Sequence, residues 1–406
     1  MSTRFATSLS MPSLPSFTFS FFPRLFVGAV IAIAAVGCST PKAVVSNEPM
    51  AFDQAIAAAT DSLFQQSQEA AGFMARRSKQ AVVLDPTLDA ASGQQTAATQ
   101  QLDRTITERV PRHFEQIEVL PFQATSLAKA QYLLVGTLVR AQNTYRVDLS
   151  LVDVKGGTVV AHSTAIARKD GVDMSPLPYY RDSPVLIKDK VTDGYVRTSS
   201  TPAGQKADAT YMERIATATV INDATTLYNA ARYREALGQY RSALATPAGD
   251  QIRVLTGIYL SVSKLGMTAE AEETFGRLVA YGIATNQLGV KFLFNPGSTE
   301  FWADPKVSGA YVMWLRQIAR QASRTKVCMD IVGHTSKTGT EDANETLSLK
   351  RAAFIKQRLG ADSAEMIKRT RAVGMGSKQN IVGSGTDDVV DAPDRRVEFS
   401  IVECSR

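Results

Sequence analysis

Asn344, Ser348 and Arg351 stand at i, i+4 and i+7 of one helical segment, so an amide, a hydroxyl and a guanidinium project from one face toward the same spot. Arg351 contributes a planar guanidinium, a group able to form a bidentate pair with a carboxylate. Thr335 and Ser336 follow the strand-like run that precedes this helix, and Asp394, Arg395 and Arg396 stand just before the last strand-like run. Signatures of catalysis are missing from the sequence. His113, His162 and His334 are its three histidines, and they fall on different elements without Cys or acidic partners at metal-ligand spacing. Gly374-x-Gly376 and Gly383-x-Gly385 lack the third, helix-opening glycine of a dinucleotide loop, and neither a P-loop nor a Gly-x-Ser-x-Gly elbow occurs. The expectation is a binding protein with no cofactor and no metal, not an enzyme.

The elements that must position these residues show in the apolar periods. Residues 290–294 read as a strand, and Pro305 precedes an amphipathic helix carrying Val307, Tyr311, Trp314, Leu315 and Ile318. Residues 327–332 and 397–402 read as two further strands, and the helix over 344–359 turns Ala352, Ile355 and Leu359 toward a sheet. The blocks Ile331-Val332-Gly333-His334-Thr335-Ser336, Asn344-Glu345-Thr346-Leu347-Ser348-Leu349-Lys350-Arg351 and Asp394-Arg395-Arg396-Val397-Glu398-Phe399, in that order, resemble the peptidoglycan-binding domain of the OmpA C-terminal family.

That resemblance implies a βαβαββ domain over residues 288–406, with peptidoglycan as partner and Arg351 on the carboxylate of the stem-peptide diaminopimelate. It implies places at the same site for Asn344, Leu347, Ser348, Thr335, Ser336 and Arg396, and a loop-ordering role for His334. Two positions depart from the family pattern. Ser336 stands where the family has an Asp facing the diaminopimelate ammonium, so a neutral hydroxyl replaces a charge-assisted acceptor. Glu341 or Asp342 either supplies the missing carboxylate or simply occupies a helix N-terminus, where negative charge is favoured anyway. Asp394 replaces the usual Asn. The resemblance also sets the strands that hold Cys328 and Cys404 antiparallel, which makes them either a disulfide or two unpaired thiols.

At the other end, Arg24 is followed by an apolar run over 25–36, the length of a signal-peptide core and too short for a membrane span. It ends in Ala35-Val36-Gly37-Cys38, which resembles the lipobox of bacterial lipoproteins. That resemblance implies cleavage after residue 37, acylation of Cys38, and, with Ser39 next, an outer-membrane lipid anchor facing the periplasm. The first 37 residues hold Arg4 and Arg24 and no acid, so their removal lowers the formal charge from +6 to +4, too mild for a nucleic-acid partner.

Residues 38–46 are polar and small and read as a tether. From 47 to 168 helix and strand signals alternate. Phe52, Ile56, Ala59 and Leu63 share a helix face, Val82-Val83-Leu84 is a short strand, and Ser92 with Gln95 forms a capping-box pattern before a second helix. Three β-rich runs follow, with a hairpin at Lys155-Gly156-Gly157, giving an α+β domain with an antiparallel meander. Its segment 130–138, with the Tyr145–Asp153 continuation, resembles the small periplasmic domain of the flagellar lipoprotein FlgO and related assembly lipoproteins, which implies contacts with envelope proteins.

Residues 169–208, with Pro176, Pro178, Pro184 and Pro202, read as a linker. Over 209–287 the pattern Ala231-x-Tyr233-x-Glu235-Ala236 recurs as Gly266-x-Thr268-x-Glu270-Ala271, close to the tetratricopeptide period. Two such units form either a groove for a peptide or a helical spacer. The fold class expected is thus multi-domain α+β, with a TPR-like helical segment between two α+β domains.

Overall fold

The computed structural model describes residues 45–70, 78–186, 188–295, 297–386 and 390–404. Cys38, the apolar run before it and the tether as far as residue 44 lie outside the described residues.

The N-terminal domain is built on a seven-stranded mixed sheet. Its elements are β1 (Val45–Met50), α1 (Phe52–Ala70), β2 (Gln80–Leu84), β3 (Leu88–Asp89), α2 (Ala97–His113), β4 (Ile117–Pro121), α3 (Ala124–Leu127), β5 (Tyr132–Ala141), β6 (Thr144–Asp153) and β7 (Thr158–Arg168). The strand order is β1-β7-β6-β5-β2-β4, with β3 beside β5. β5, β6 and β7 pair antiparallel, whereas β2 runs parallel to both β4 and β5. Residues 45–50 extend the sheet as β1 on the edge of β7, so strand structure begins within the stretch whose composition reads as tether. The capping box also moves. Thr96 and Thr99 cap α2 reciprocally, while Ser92 donates to the Asp89 carboxylate and serves the turn before it.

Alternation along the strands gives the sheet two apolar faces. Val82, Leu134, Leu138, Val147 and Leu151 pack with Ile56, Leu63, Leu102 and Ile106 of α1 and α2. Val83, Leu133 and Val135 point the other way and are fully buried. Exposing each would cost about 1.5–3 kcal/mol, so that face needs a cover. The segment read as an irregular linker supplies it. It contains α4 (Pro178–Asp182) and α5 (Lys190–Ser199), and Val191 and Tyr195 of α5 join the core of this face. Asp189 caps α5 by accepting from the Val191 and Thr192 amides. Tyr195 Oη accepts the Gly136 amide at 3.0 Å, which pins α5 to β5.

Next come α6 (Ala209–Glu213), α7 (Ile215–Asn229), α8 (Tyr233–Leu244), α9 (Ile252–Lys264) and α10 (Thr268–Thr285). The repeated pattern falls on two helical hairpins, α7–α8 and α9–α10, whose turn residues Ala231 and Gly266 both have positive φ, at 59° and 73°.

The C-terminal part comprises β8 (Leu288–Val290), α11 (Pro305–Ser308), α12 (Tyr311–Thr325), β9 (Cys328–Gly333), α13 (Glu341–Asp362), α14 (Ala364–Arg369), β10 (Thr370–Gly374) and β11 (Val397–Val402). The four strands lie in the order β10-β9-β11-β8, with β9 and β10 parallel and β11 antiparallel to both β9 and β8. The strand expected over 290–294 ends at Val290. Phe292 and Phe294 instead enter an aromatic cluster, with Tyr311 and Phe301 respectively at centroid distances of 5.1 and 5.3 Å. The helical hairpins and this domain share one core. Phe275 of α10 stacks on Trp314 of α12 at 5.4 Å, and Trp314 Nε1 donates to Tyr259 Oη of α9 at 2.7 Å. A boundary drawn at 287/288 therefore runs through packed side chains.

Candidate functional site

β9 ends at Gly333, and the chain turns through 334–340 into α13, which Thr340 caps by accepting from the Ala343 amide. Gly333 permits a close approach. A Cβ there would lie 2.2 Å from the Ser348 carbonyl oxygen, so any side chain would push α13 off the sheet. Thr335, Ser336, Asn344 and Ser348 gather where strand end meets helix start, and all four are buried. The Thr335 amide donates to the Gly376 carbonyl at 3.0 Å, and the Gly376 amide donates to Ser348 Oγ at 2.8 Å. Asn344 Nδ2 donates to the Thr338 carbonyl at 2.8 Å, and Ser336 Oγ lies 3.2 Å from Thr338 Oγ1. Thr335 Oγ1 is buried with no hydrogen-bond partner among the described residues.

Arg351 lies one turn further along α13 and is turned toward the loop that follows β8. Its Nε and Nη2 donate to the carbonyls of Ser298 and Asn295 at 3.1 and 3.3 Å, and its guanidinium carbon sits 4.9 Å from the centre of the Phe294 ring. Leu347 is half-buried on the same helix. Arg396 is turned elsewhere. It donates to Glu398 at 2.6 Å and to the Gln379 carbonyl at 3.2 Å. Burial pushes the Glu398 carboxyl up, but His334 and Arg396 beside it prevail and hold it down at about 2. His334 Nε2 approaches Glu398 Oε2 at 3.6 Å. Glu341 and Asp342 are exposed at the start of α13, and Glu341 faces Lys378 at 3.8 Å.

Sequence reading missed Asn380, Lys378 and the acceptor role of Asp394. Asn380 Nδ2 donates to the Thr335 carbonyl at 2.8 Å, and Lys378 pairs with Glu345 at 2.7 Å. Asp394 Oδ1 accepts the amides of Ile381 and Val382, and Oδ2 accepts that of Gly383. Its signal was the substitution of Asp for Asn itself, since two carboxylate oxygens can hold three amides. Cys328 and Cys404 are joined, with Cα atoms 5.2 Å apart, because antiparallel register sets Val402 opposite Cys328. Among the described residues no group of three or more His, Cys, Asp or Glu is placed to hold a metal ion.

No curated protein matches the chain. Among solved structures, the crystal structure of the peptidoglycan-associated lipoprotein from Burkholderia pseudomallei matches at 24% identity over 28% of this chain and 89% of that one, with a TM-score of 0.23. Residues 293–392 match the sequence model of the OmpA family, a span that takes in the aromatic loop under Arg351, the polar cluster at the end of β9 and the loop held by Asp394. The chain thus carries an OmpA family domain at its C-terminal end.

Proposed function

We propose that this chain is an outer-membrane lipoprotein that binds peptidoglycan non-covalently through its OmpA-like domain and presents its other domains to periplasmic envelope proteins. The observation that carries the reading is the OmpA family match over 293–392 coinciding with the buried polar cluster of Thr335, Ser336, Asn344 and Ser348, with Arg351 on the same helix face. It acts by binding rather than by chemistry. The diaminopimelate carboxylate meets Arg351, and the unpartnered Thr335 hydroxyl offers a further contact. Anchoring rests on Cys38, which closely follows the signal-like apolar run over 25–36.

A second reading has its own support. Ser336 removes the family carboxylate, and Arg351 is engaged by carbonyls of its own chain, features that suit an assembly scaffold whose OmpA-like fold no longer grips the wall. Co-sedimentation of the full mature chain with isolated sacculi separates the two. Wild type is expected to sediment with the wall and Ser336→Asp more strongly, by roughly one to two decades in affinity for one restored charged contact. Failure of both proteins to sediment would leave the scaffold reading.

A further inference from the structure

Arg140 stands near the end of β5, half-buried, and forms no ion pair among the described residues. Its Nη1 donates instead to the Val382 carbonyl at 2.9 Å, which reaches from the N-terminal sheet to the loop after β10. The same peptide group is held from its other side, where the Gly383 amide donates to Asp394 Oδ2 at 2.7 Å. One peptide dipole therefore lies between a cation and an anion, carbonyl toward the guanidinium and N–H toward the carboxylate, so each charge strengthens the bond of the other. Gly383 allows this, because its φ of +62° belongs to the left-handed region that L side chains rarely adopt. The loop so fixed leads directly to the candidate site. Asn380, three residues earlier, holds the Thr335 carbonyl, and Arg396 holds that of Gln379.

We propose that Arg140 is a positioning residue for the wall site, acting from the N-terminal domain through the Val382–Gly383 peptide on the loop that packs against Thr335. The inference rests on the wall-binding reading above. It gives the Asp at 394 a reason: an amide has one acceptor oxygen, whereas the carboxylate gathers three amides and supplies the charge opposite Arg140. It also makes the N-terminal domain part of the binding end of the molecule. A partner that displaces the end of β5 changes wall affinity, and wall occupancy changes that partner's affinity by the same factor.

The test uses the full mature chain as wild type, Arg140→Ala and Arg140→Lys. Hydrogen exchange of peptides over 376–386 is expected to quicken about tenfold in Arg140→Ala, the loss of one charged hydrogen bond, with strands of the N-terminal sheet unchanged. Sacculus binding should weaken several-fold, and Arg140→Lys should restore both in part. Wild-type exchange in the Arg140→Ala loop would overturn the clamp. Faster exchange with undiminished sacculus binding would overturn the positioning role. Absence of binding by the wild type would sink the wall-binding reading and the positioning role with it, leaving the clamp to be judged by exchange alone.

Discussion

Arg351 gives the sharpest test, because its surroundings assign it two jobs that one substitution would confuse. Replacement by Ala removes two charge-assisted hydrogen bonds, at 3.1 and 3.3 Å, and the cation over Phe294. The carbonyls of Asn295 and Ser298 lose buried donors, and the sum is roughly 3–5 kcal/mol from the hydrogen bonds and the cation–π contact together. Arg351→Ala should therefore lower the melting temperature as well as abolish wall binding, so its binding loss alone proves little. Arg351→Lys is the cleaner perturbation. It keeps the charge and most of the stem but replaces the fork by a single nitrogen, which cannot bond both carbonyls and grip a carboxylate bidentately. Melting followed by circular dichroism, with sacculus co-sedimentation at one fixed salt concentration, separates the roles, since exposed ionic contacts are screened by salt. Arg351→Lys is expected to melt between wild type and Arg351→Ala, since it keeps one of the two carbonyl contacts, and to bind the wall at least about tenfold more weakly, the scale of one lost charged contact. Equal binding by Arg351→Lys and wild type, or an Arg351→Ala protein that melts like wild type, would refute the reasoning.

Reduction of the Cys328–Cys404 bridge, which spans 76 positions, should remove about 4 kcal/mol in the chain-entropy model; identical melting with and without reductant would contradict this. Asp85 is buried, with Tyr211 Oη on its carboxylate, and burial pushes it up to about 7 from 3.8. Between those values the native state binds the extra proton, so this group makes stability fall as pH rises from about 4 to 7. Asp85→Asn, read by melting at pH 5 and pH 8, should flatten that dependence and stabilise the protein at pH 8, and an unchanged profile would count against it. Cys38→Ala should abolish incorporation of a fatty-acid probe, and continued labelling would dismiss the anchor.

Much of the C-terminal domain is legible from local sequence, because periods of 2 and 3.6 residues report which side chains need cover. The spacing of Asn344, Ser348 and Arg351 placed them on one helix face, and the strands at 327–332 and 397–402 were readable, but only the antiparallel register of the fold joins Cys328 to Cys404. What period alone does not reveal is which surface supplies the cover. Val83, Leu133 and Val135 read as ordinary strand residues, yet their burial on the second face turned a proline-rich linker into packed helices. Phe292 and Phe294 carry strand propensity but find aromatic neighbours in Tyr311 and Phe301, beyond the reach of a strand pattern, so packing ended β8 at Val290. The partners of Arg140 lie 242 residues along the chain, and no local pattern encodes them. Sequence by itself determined the strongly periodic elements and the residues able to meet a carboxylate. Tertiary structure decided what those residues hold at rest, because the hydrogen-bond partners of a buried polar group are set by whichever backbone the fold brings within about 3 Å.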